Sequence, residues 1–147
     1  MVLNSNNTIS INSKAGIAVK GLVVIDDKIL IIKRHNADVQ KPGMWEFPGG
    51  RLDKGENPFL GLKREILEEV GLDVEIFYPL EVRYFVRDDG QPITMIIFLC
   101  KAKSKNIILS QEHSDYKLCN INYVKDDLGD FFHNSVDVYS KYFKNKF

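Results

Sequence analysis

Glu65, Glu68 and Glu69 crowd the short stretch "KREILEEVG", where apolar residues recur at helical intervals. At about 100° per residue the three carboxylates share one sector of a helix, roughly 100° wide. Like charges three and four positions apart on a helix repel, so stability alone gives little reason to gather them. Lys63 falls off that sector, and Arg64 is the one arginine beside them. A divalent cation removes the repulsion, because hard oxygen donors suit magnesium or manganese. The field of such an ion also keeps the glutamates charged. The competing account is a solvated acidic face with no chemistry. Upstream, "PGGRLDKGE" supplies glycines for close approach, and Glu56 at its end stands where it can fix Arg64 or a cation.

Holding three side chains in one sector requires a helix with defined ends. Asn57 suits the N-cap, Pro58 the first helical position, and Gly71 a left-handed stop. Between them Phe59, Leu62, Ile66 and Val70 form the stripe expected to pack on a sheet. The acidic sector is expected to face solvent, so removing one of its charges should change stability little. Gly61 lies on that sector one turn upstream, where glycine costs about 1 kcal/mol against alanine; close approach of another group would explain it.

The remaining elements read as strands and a second helix. Residues 15–25 and 28–34 are β-branched runs separated by Asp26-Asp27, a hairpin pattern. "WEF" (45–47) is a short strand ending at Pro48-Gly49-Gly50. Residues 73–86 contain Pro79 and read as two strands or one bulged strand. A turn at 87–92 precedes an apolar strand at 93–101, a polar loop at 103–115 and a strand at 117–124. Residues 135–145 have helical spacing, with Val136, Tyr139 and Phe143 toward the core. The pattern is α/β, a mixed sheet with helices packed on it. Residues 1–14 read as a leader and 15–147 as a single domain.

Composition narrows the function classes. The chain has 147 residues, 44% hydrophobic and 27% charged, enough for one domain with a sizeable core. Its 20 basic and 20 acidic residues cancel, which gives no steering toward nucleic acid or an anionic membrane. Cys100 and Cys119 make neither a disulfide framework nor a zinc cluster and fit a reducing compartment. The asparagine-rich opening has no apolar core of a signal peptide, and the apolar run at 93–100 is too short to span a bilayer. The expectation is a cytoplasmic protein, with monomer and homodimer both open.

From Gly50 to Leu72 the chain reads glycine, five residues, glutamate, seven residues, arginine-glutamate, an aliphatic, any residue, glutamate-glutamate, any residue, glycine, an aliphatic. This resembles the signature of the Nudix hydrolases, filled by Gly50, Glu56, Arg64, Glu65, Ile66, Glu68, Glu69, Gly71 and Leu72. "WEFPGG" before it is similar too, while Gly61 stands where alanine is common. The resemblance implies an α/β/α sandwich and hydrolysis of a pyrophosphate bond in a nucleoside diphosphate derivative. It implies that Glu65, Glu68 and Glu69 hold magnesium, with manganese as the alternative, and that the carbonyl of Gly50 is a further ligand. By the same resemblance Glu56 and Arg64 form a structural salt bridge. Glu112 takes the place of an outlying metal-binding or catalytic glutamate.

For the substrate, Arg34 and Asn134 are similar in placement to residues that contact nucleotide in oxidised-purine hydrolases of the family. Arg51, beside the glycine pair, is grouped with them. Tyr84 and Phe85 are candidates to stack a base. The plainer alternatives are a strand-end arginine, a helix-capping asparagine and packed aromatics. The expected reaction is conversion of a nucleoside triphosphate to monophosphate and pyrophosphate. The alternatives are cleavage of ADP-ribose, a nucleotide sugar or a dinucleoside polyphosphate, or a non-catalytic nucleotide-binding module. No basic track for RNA shows in the composition.

Overall fold

β-branched and aliphatic residues build the first hairpin, in which β1 (Lys14–Ile25) turns at Asp26-Asp27 into β2 (Lys28–Arg34). Both aspartates have positive φ, the conformation that suits a tight hairpin. The computed structural model describes residues 14–38 and 41–146; the opening read as a leader lies outside them up to residue 13. β3 (Trp45–Glu46) and β4 (Gly49–Asp53) precede α1 (Pro58–Val70). Next come β5 (Val74–Val86), β6 (Pro92–Ala102), β7 (His113–Cys119), a short α2 (Val124–Asp127) and α3 (His133–Tyr142).

The sheet runs β3-β2-β1-β6-β5, with β4 paired to β1 and β7 to β2. β1 and β6 are parallel, and β5–β6 and β2–β7 are antiparallel, so the sheet is mixed. Alternation along β1 feeds two cores. Val19, Val23 and Ile25 meet Leu62, Ile66 and Val70 of α1, while Ala18, Leu22 and Val24 share the opposite core with Phe132, Val136 and Tyr139. The result is the expected α/β/α sandwich. Each fully buried aliphatic side chain contributes about 1.5–3 kcal/mol. No helix among the described residues is long and apolar enough to cross a membrane.

The ends of α1 are set locally. The Asn57 side chain accepts from the backbone N–H of Phe59 and Leu60, Pro58 opens the helix, and Gly71 closes it at φ 71°. Leu62, Ile66 and Val70 are buried as the stripe requires, but Phe59 is 52% exposed and lies against the Phe98 ring. Its place in the first turn is at the margin of the sheet. A Cβ at Gly61 would overlap Leu52 and lie 2.9 Å from Glu56 Oε1, which explains the glycine.

Two expectations change and one alternative is decided. Residues 49–53, read as loop, form β4 because they pair with β1 through Ala18–Arg51, Val19–Gly50 and Lys20–Gly49. Of the two readings of residues 73–86 the single bulged strand holds: Val74–Val86 form one strand with irregularities around Ile76–Tyr78 and Pro79–Glu81, the second at the residue that lacks a donor. The last strand is 113–119 rather than 117–124. After Cys119 the Asn120 side chain accepts from the Asn122 N–H, a turn that ends the strand.

Candidate active site

The C-terminal edge of β2, the β3–β4 corner, α1 and the loop before β7 surround a cavity of about 610 Å³. Its walls include Gly50, Glu65, Glu68, Glu69 and Glu112, with Arg34, Arg51 and Lys14 facing the same space. The sandwich therefore brings together the carboxylates, the glycine and all three arginines singled out from sequence, Arg34, Arg51 and Arg64. Gly50 is close to Glu65: a Cβ there would lie 2.7 Å from Glu65 Oε2. Gly49 has φ 139°, and a side chain on it would overlap the carbonyl of Val19.

Arg64 organises the outer part of the cluster. Its Nε and Nη2 donate to Glu56 at 2.7 and 2.8 Å, a bidentate pair. Nη1 reaches Glu65 at 3.1 Å and Glu68 at 3.2 Å. The carboxylate repulsion expected from sequence is thus relieved in part by Arg64 itself. Its hydrogen bonds also hold the Glu56 carboxyl down at about 2.

The inner part differs from expectation. Glu69 is buried rather than facing solvent, with only 6% of its surface exposed. It accepts a 3.4 Å bond from the Gly49 N–H, and His113 Nε2 lies 4.0 Å away. Burial pushes its carboxyl up to about 8; the Lys20 charge opposes this, and Glu46 and Glu65 add to it. Behind Glu69 sits a buried ionic network. Lys20 Nζ lies 3.3 Å from Glu46 Oε1 and donates to the Gly49 carbonyl at 3.0 Å. Arg34 Nε reaches Glu46 Oε2 at 3.0 Å, and His113 Nε2 lies 3.3 Å from Glu46 Oε1. Burial would raise the Glu46 carboxyl, but Lys20, His113 and Arg34 together hold it well below the usual range.

Glu112 is exposed on the cavity rim, and its backbone N–H bonds the Ser110 hydroxyl. Arg51 bonds the Ala15 carbonyl and Gln91. Asn134 and Tyr84 do not line the cavity. Asn134 donates to Glu81 at 3.1 Å; the α3 cap is Phe132, without a side-chain bond. Tyr84 stands 70% exposed on β5, whereas Phe85 lines a smaller recess of about 180 Å³. That recess shares Arg34, Gly50 and Arg51 with the main cavity and is floored by Ile93, Met95 and Phe132.

Residues 15–138 match the NUDIX domain model. The chain belongs to the Nudix family. A Helicobacter pylori (strain HPAG1) relative named RNA pyrophosphohydrolase is 32% identical over 120 residues, 71% of this chain and 76% of that protein. A Buchnera aphidicola (subsp. Schizaphis graminum) 8-oxo-dGTP diphosphatase is 35% identical over 98 residues, 66% of this chain and 71% of that one. The solved MutT protein from Methanosarcina mazei Go1 shares the fold at TM-score 0.76 and 22% identity, over 89% of this chain and 95% of that one. Other curated relatives are longer, and the chain spans 51% and 40% of two of them.

Nudix membership suggests a divalent metal. Among the described residues, however, no three carboxylate, imidazole or thiolate groups close into a ready ion cage. Arg64 bridges Glu65 and Glu68, and Glu69 turns inward to Gly49. The carboxylate oxygens suit a hard cation in kind, while in this arrangement they are held by Arg64 and the Gly49 N–H instead of being gathered about one point. Lys20 and Glu46 were missed from sequence, although both are charges set inside apolar strand runs, which was a usable signal.

Proposed function

We propose that this chain hydrolyses a pyrophosphate bond in a nucleotide, taking a nucleoside triphosphate to the monophosphate and pyrophosphate. One observation carries the reading: a single cavity joins Glu65, Glu68, Glu69, Glu112 and Gly50 to Arg34, Arg51 and Lys14. Carboxylates alone would repel a polyphosphate, so the acidic wall makes chemical sense with magnesium, or manganese, on it. Glu65, Glu68, Glu69, Glu112 and the Gly50 carbonyl would hold that ion. When bound it neutralises phosphate oxygens and acidifies water.

The chain's own residues supply the rest. Arg34 and Arg51 place guanidinium charge on the cavity wall, and by turning from Asp38 and from Gln91 they would hold phosphate oxygens of the substrate against the acidic wall. Arg64 stays anchored on Glu56, so Glu65 and Glu68 can leave its Nη1 without losing the anchor. The recess lined by Phe85 and Phe132 is an apolar place for the base, connected to the phosphate wall through Arg34 and Arg51. The Buchnera relative's name supports a nucleoside triphosphate.

A second reading keeps the same bond but takes the triphosphate at an RNA 5′ end, favoured by the name of the Helicobacter relative. The test compares canonical and oxidised nucleoside triphosphates, 5′-triphosphorylated RNA, ADP-ribose and a dinucleoside polyphosphate by kcat/KM, with products identified. Pyrophosphate released from a free nucleoside triphosphate in a magnesium-dependent reaction is expected. Higher efficiency on RNA replaces the first reading with the second. Preference for ADP-ribose or a dinucleoside polyphosphate, or full activity after chelation, overturns both.

A further inference from the structure

We propose that Lys41 and Arg87 form an anion subsite, and that the nucleotide taken here carries a phosphate on its ribose besides the polyphosphate that is cleaved. The inference rests on the reading of the main cavity as the seat of the polyphosphate and of the recess as the seat of the base. Cavity and recess share Arg34, Glu46, Gly49, Gly50 and Arg51. The recess also opens into an outer hollow of about 370 Å³, with which it shares Lys41, Phe85 and Arg87. Cavity and outer hollow have no lining residue in common. Lys41 and Arg87 therefore border the recess at the mouth away from the carboxylates of α1.

The charges around the recess do not balance. Lys20, Arg34, Lys41, Arg51 and Arg87 stand against one carboxylate, Glu46. Glu46 is taken by Lys20, Arg34 and His113. Arg34 has Asp38 as well, and Arg51 is held by the Ala15 carbonyl and Gln91. Lys41 and Arg87 are left. Among the described residues no carboxylate lies within ion-pair distance of the Lys41 ammonium, which stands 5.8 Å from the centre of the Phe131 ring. Loss of hydration pushes that ammonium below its ordinary value; Glu46 opposes this, and Lys20, Arg34 and Arg87 add to it. On the outer side Asp88 and Asp89 line the hollow, but Arg87 Nη2 is 3.6 Å from Asp89, too long for a hydrogen bond. Like charges gathered without a counter-charge call for an anion, as the carboxylates of α1 call for a cation.

A nucleotide seated in this way can bring an anion to that mouth from its sugar. With the polyphosphate on the cavity wall and the base on the floor of Ile93, Met95 and Phe132, the ribose lies between them. Its 2′ and 3′ oxygens are the remaining points of attachment. A phosphate ester on one of them meets a guanidinium fork and a flexible ammonium, both suited to its oxygens. The backbone under both cations is fixed. The Lys41 N–H donates to Asp38 at 2.8 Å, the Arg87 N–H donates to the Gln91 carbonyl at 2.9 Å, and the Gly90 N–H returns to the Arg87 carbonyl at 2.8 Å. Two sources share this chemistry: a free nucleotide phosphorylated on its ribose, and the first phosphodiester of an RNA 5′ end.

Isothermal titration calorimetry on the full chain, with magnesium present, tests this. It compares AMP with adenosine 2′,5′-bisphosphate, adenosine 3′,5′-bisphosphate and the 5′-phosphorylated dinucleotide ApA. At least one bisphosphate is expected to bind about tenfold or more tightly than AMP, the size of one charge-assisted contact. In Lys41→Met and in Arg87→Met that ratio should fall toward one while far-UV circular dichroism stays native. A dinucleotide that matches the bisphosphate identifies the RNA phosphodiester as the source, and a weaker one the free nucleotide. Bisphosphates that bind no more tightly than AMP, or not at all up to millimolar concentration, overturn the proposal. A ratio that the double variant retains does so too. Triphosphate hydrolysis with a ratio of one keeps the reaction and removes the subsite; a high ratio in a protein that cleaves no triphosphate keeps the subsite and removes the reaction.

Discussion

At one end of the acidic cluster Arg64 forks among Glu56, Glu65 and Glu68 within reach of water. At the other end Glu69 is buried beside His113 and the Lys20–Glu46 pair. The outer charges are solvated and screened, so their geometry is cheap to change. The inner charges have lost most of their hydration, and each depends on its partners. A site that must admit a cation and a polyphosphate needs both behaviours. The buried network fixes where the β3–β4 corner meets α1, and the Arg64 fork releases carboxylates toward the cavity.

The largest contrast should appear in turnover. Glu69→Gln is expected to lower kcat at least about 100-fold, since losing even a group that supports a metal ligand costs roughly 10–100-fold. The fold should survive, because the amide fits the same space. A folded variant with near-normal turnover in the nucleotide assay would remove Glu69 from the site. Next in size is Glu46→Ala, which leaves Lys20 buried and unpaired. It should cost about 3–5 kcal/mol in denaturant unfolding, the penalty for breaking a buried pair. Arg64→Ala should cost about 1 kcal/mol, as befits a partly exposed pair, while raising the magnesium concentration needed for half-maximal rate. Equal losses of stability from Glu46→Ala and Arg64→Ala would erase the distinction between the two networks.

The sequence makes one of these regions far easier to read than the other. Asn57, Pro58 and Gly71 mark α1 through local hydrogen bonds and backbone geometry, and the stripe from Leu62 to Val70 follows from period alone. Glu56 and Arg64 are eight positions apart and belong to one compact motif. The buried network joins residues 26 and 67 positions apart, and only the folded sheet brings them together. The burial of Glu69 was illegible for the same reason: β4, which closes over it, exists because Arg51, Gly50 and Gly49 pair with β1. Asn134 and Tyr84 mark the converse failure. Their residue types suit a base, but α3 turns Asn134 to Glu81, and strand parity sends Tyr84 to the opposite face from Phe85.

The last contrast expected is in the pH dependence of stability, where the two regions should differ in sign. Hydrogen bonds from Arg64 hold folded Glu56 at about 2, against an ordinary value of 4.5. The protein therefore gains stability from this pair above pH 4.5 and loses it as pH falls toward 2. Glu69 is displaced the other way, from 4.5 to about 8, chiefly by burial. Its protonated form suits the fold, so that contribution is complete below pH 4.5 and is lost as pH rises through 8. With chelator present, the melting temperature should thus carry an acid limb from the outer network and an alkaline limb from the inner one. Arg64→Ala should flatten the acid limb alone, and Glu69→Gln the alkaline limb alone. Magnesium should restore the alkaline side, because a cation replaces the proton on Glu69 and its affinity then rises with pH. An alkaline limb that persists in Glu69→Gln, or that magnesium leaves untouched, would assign it to another group and separate the buried carboxyl from the ion.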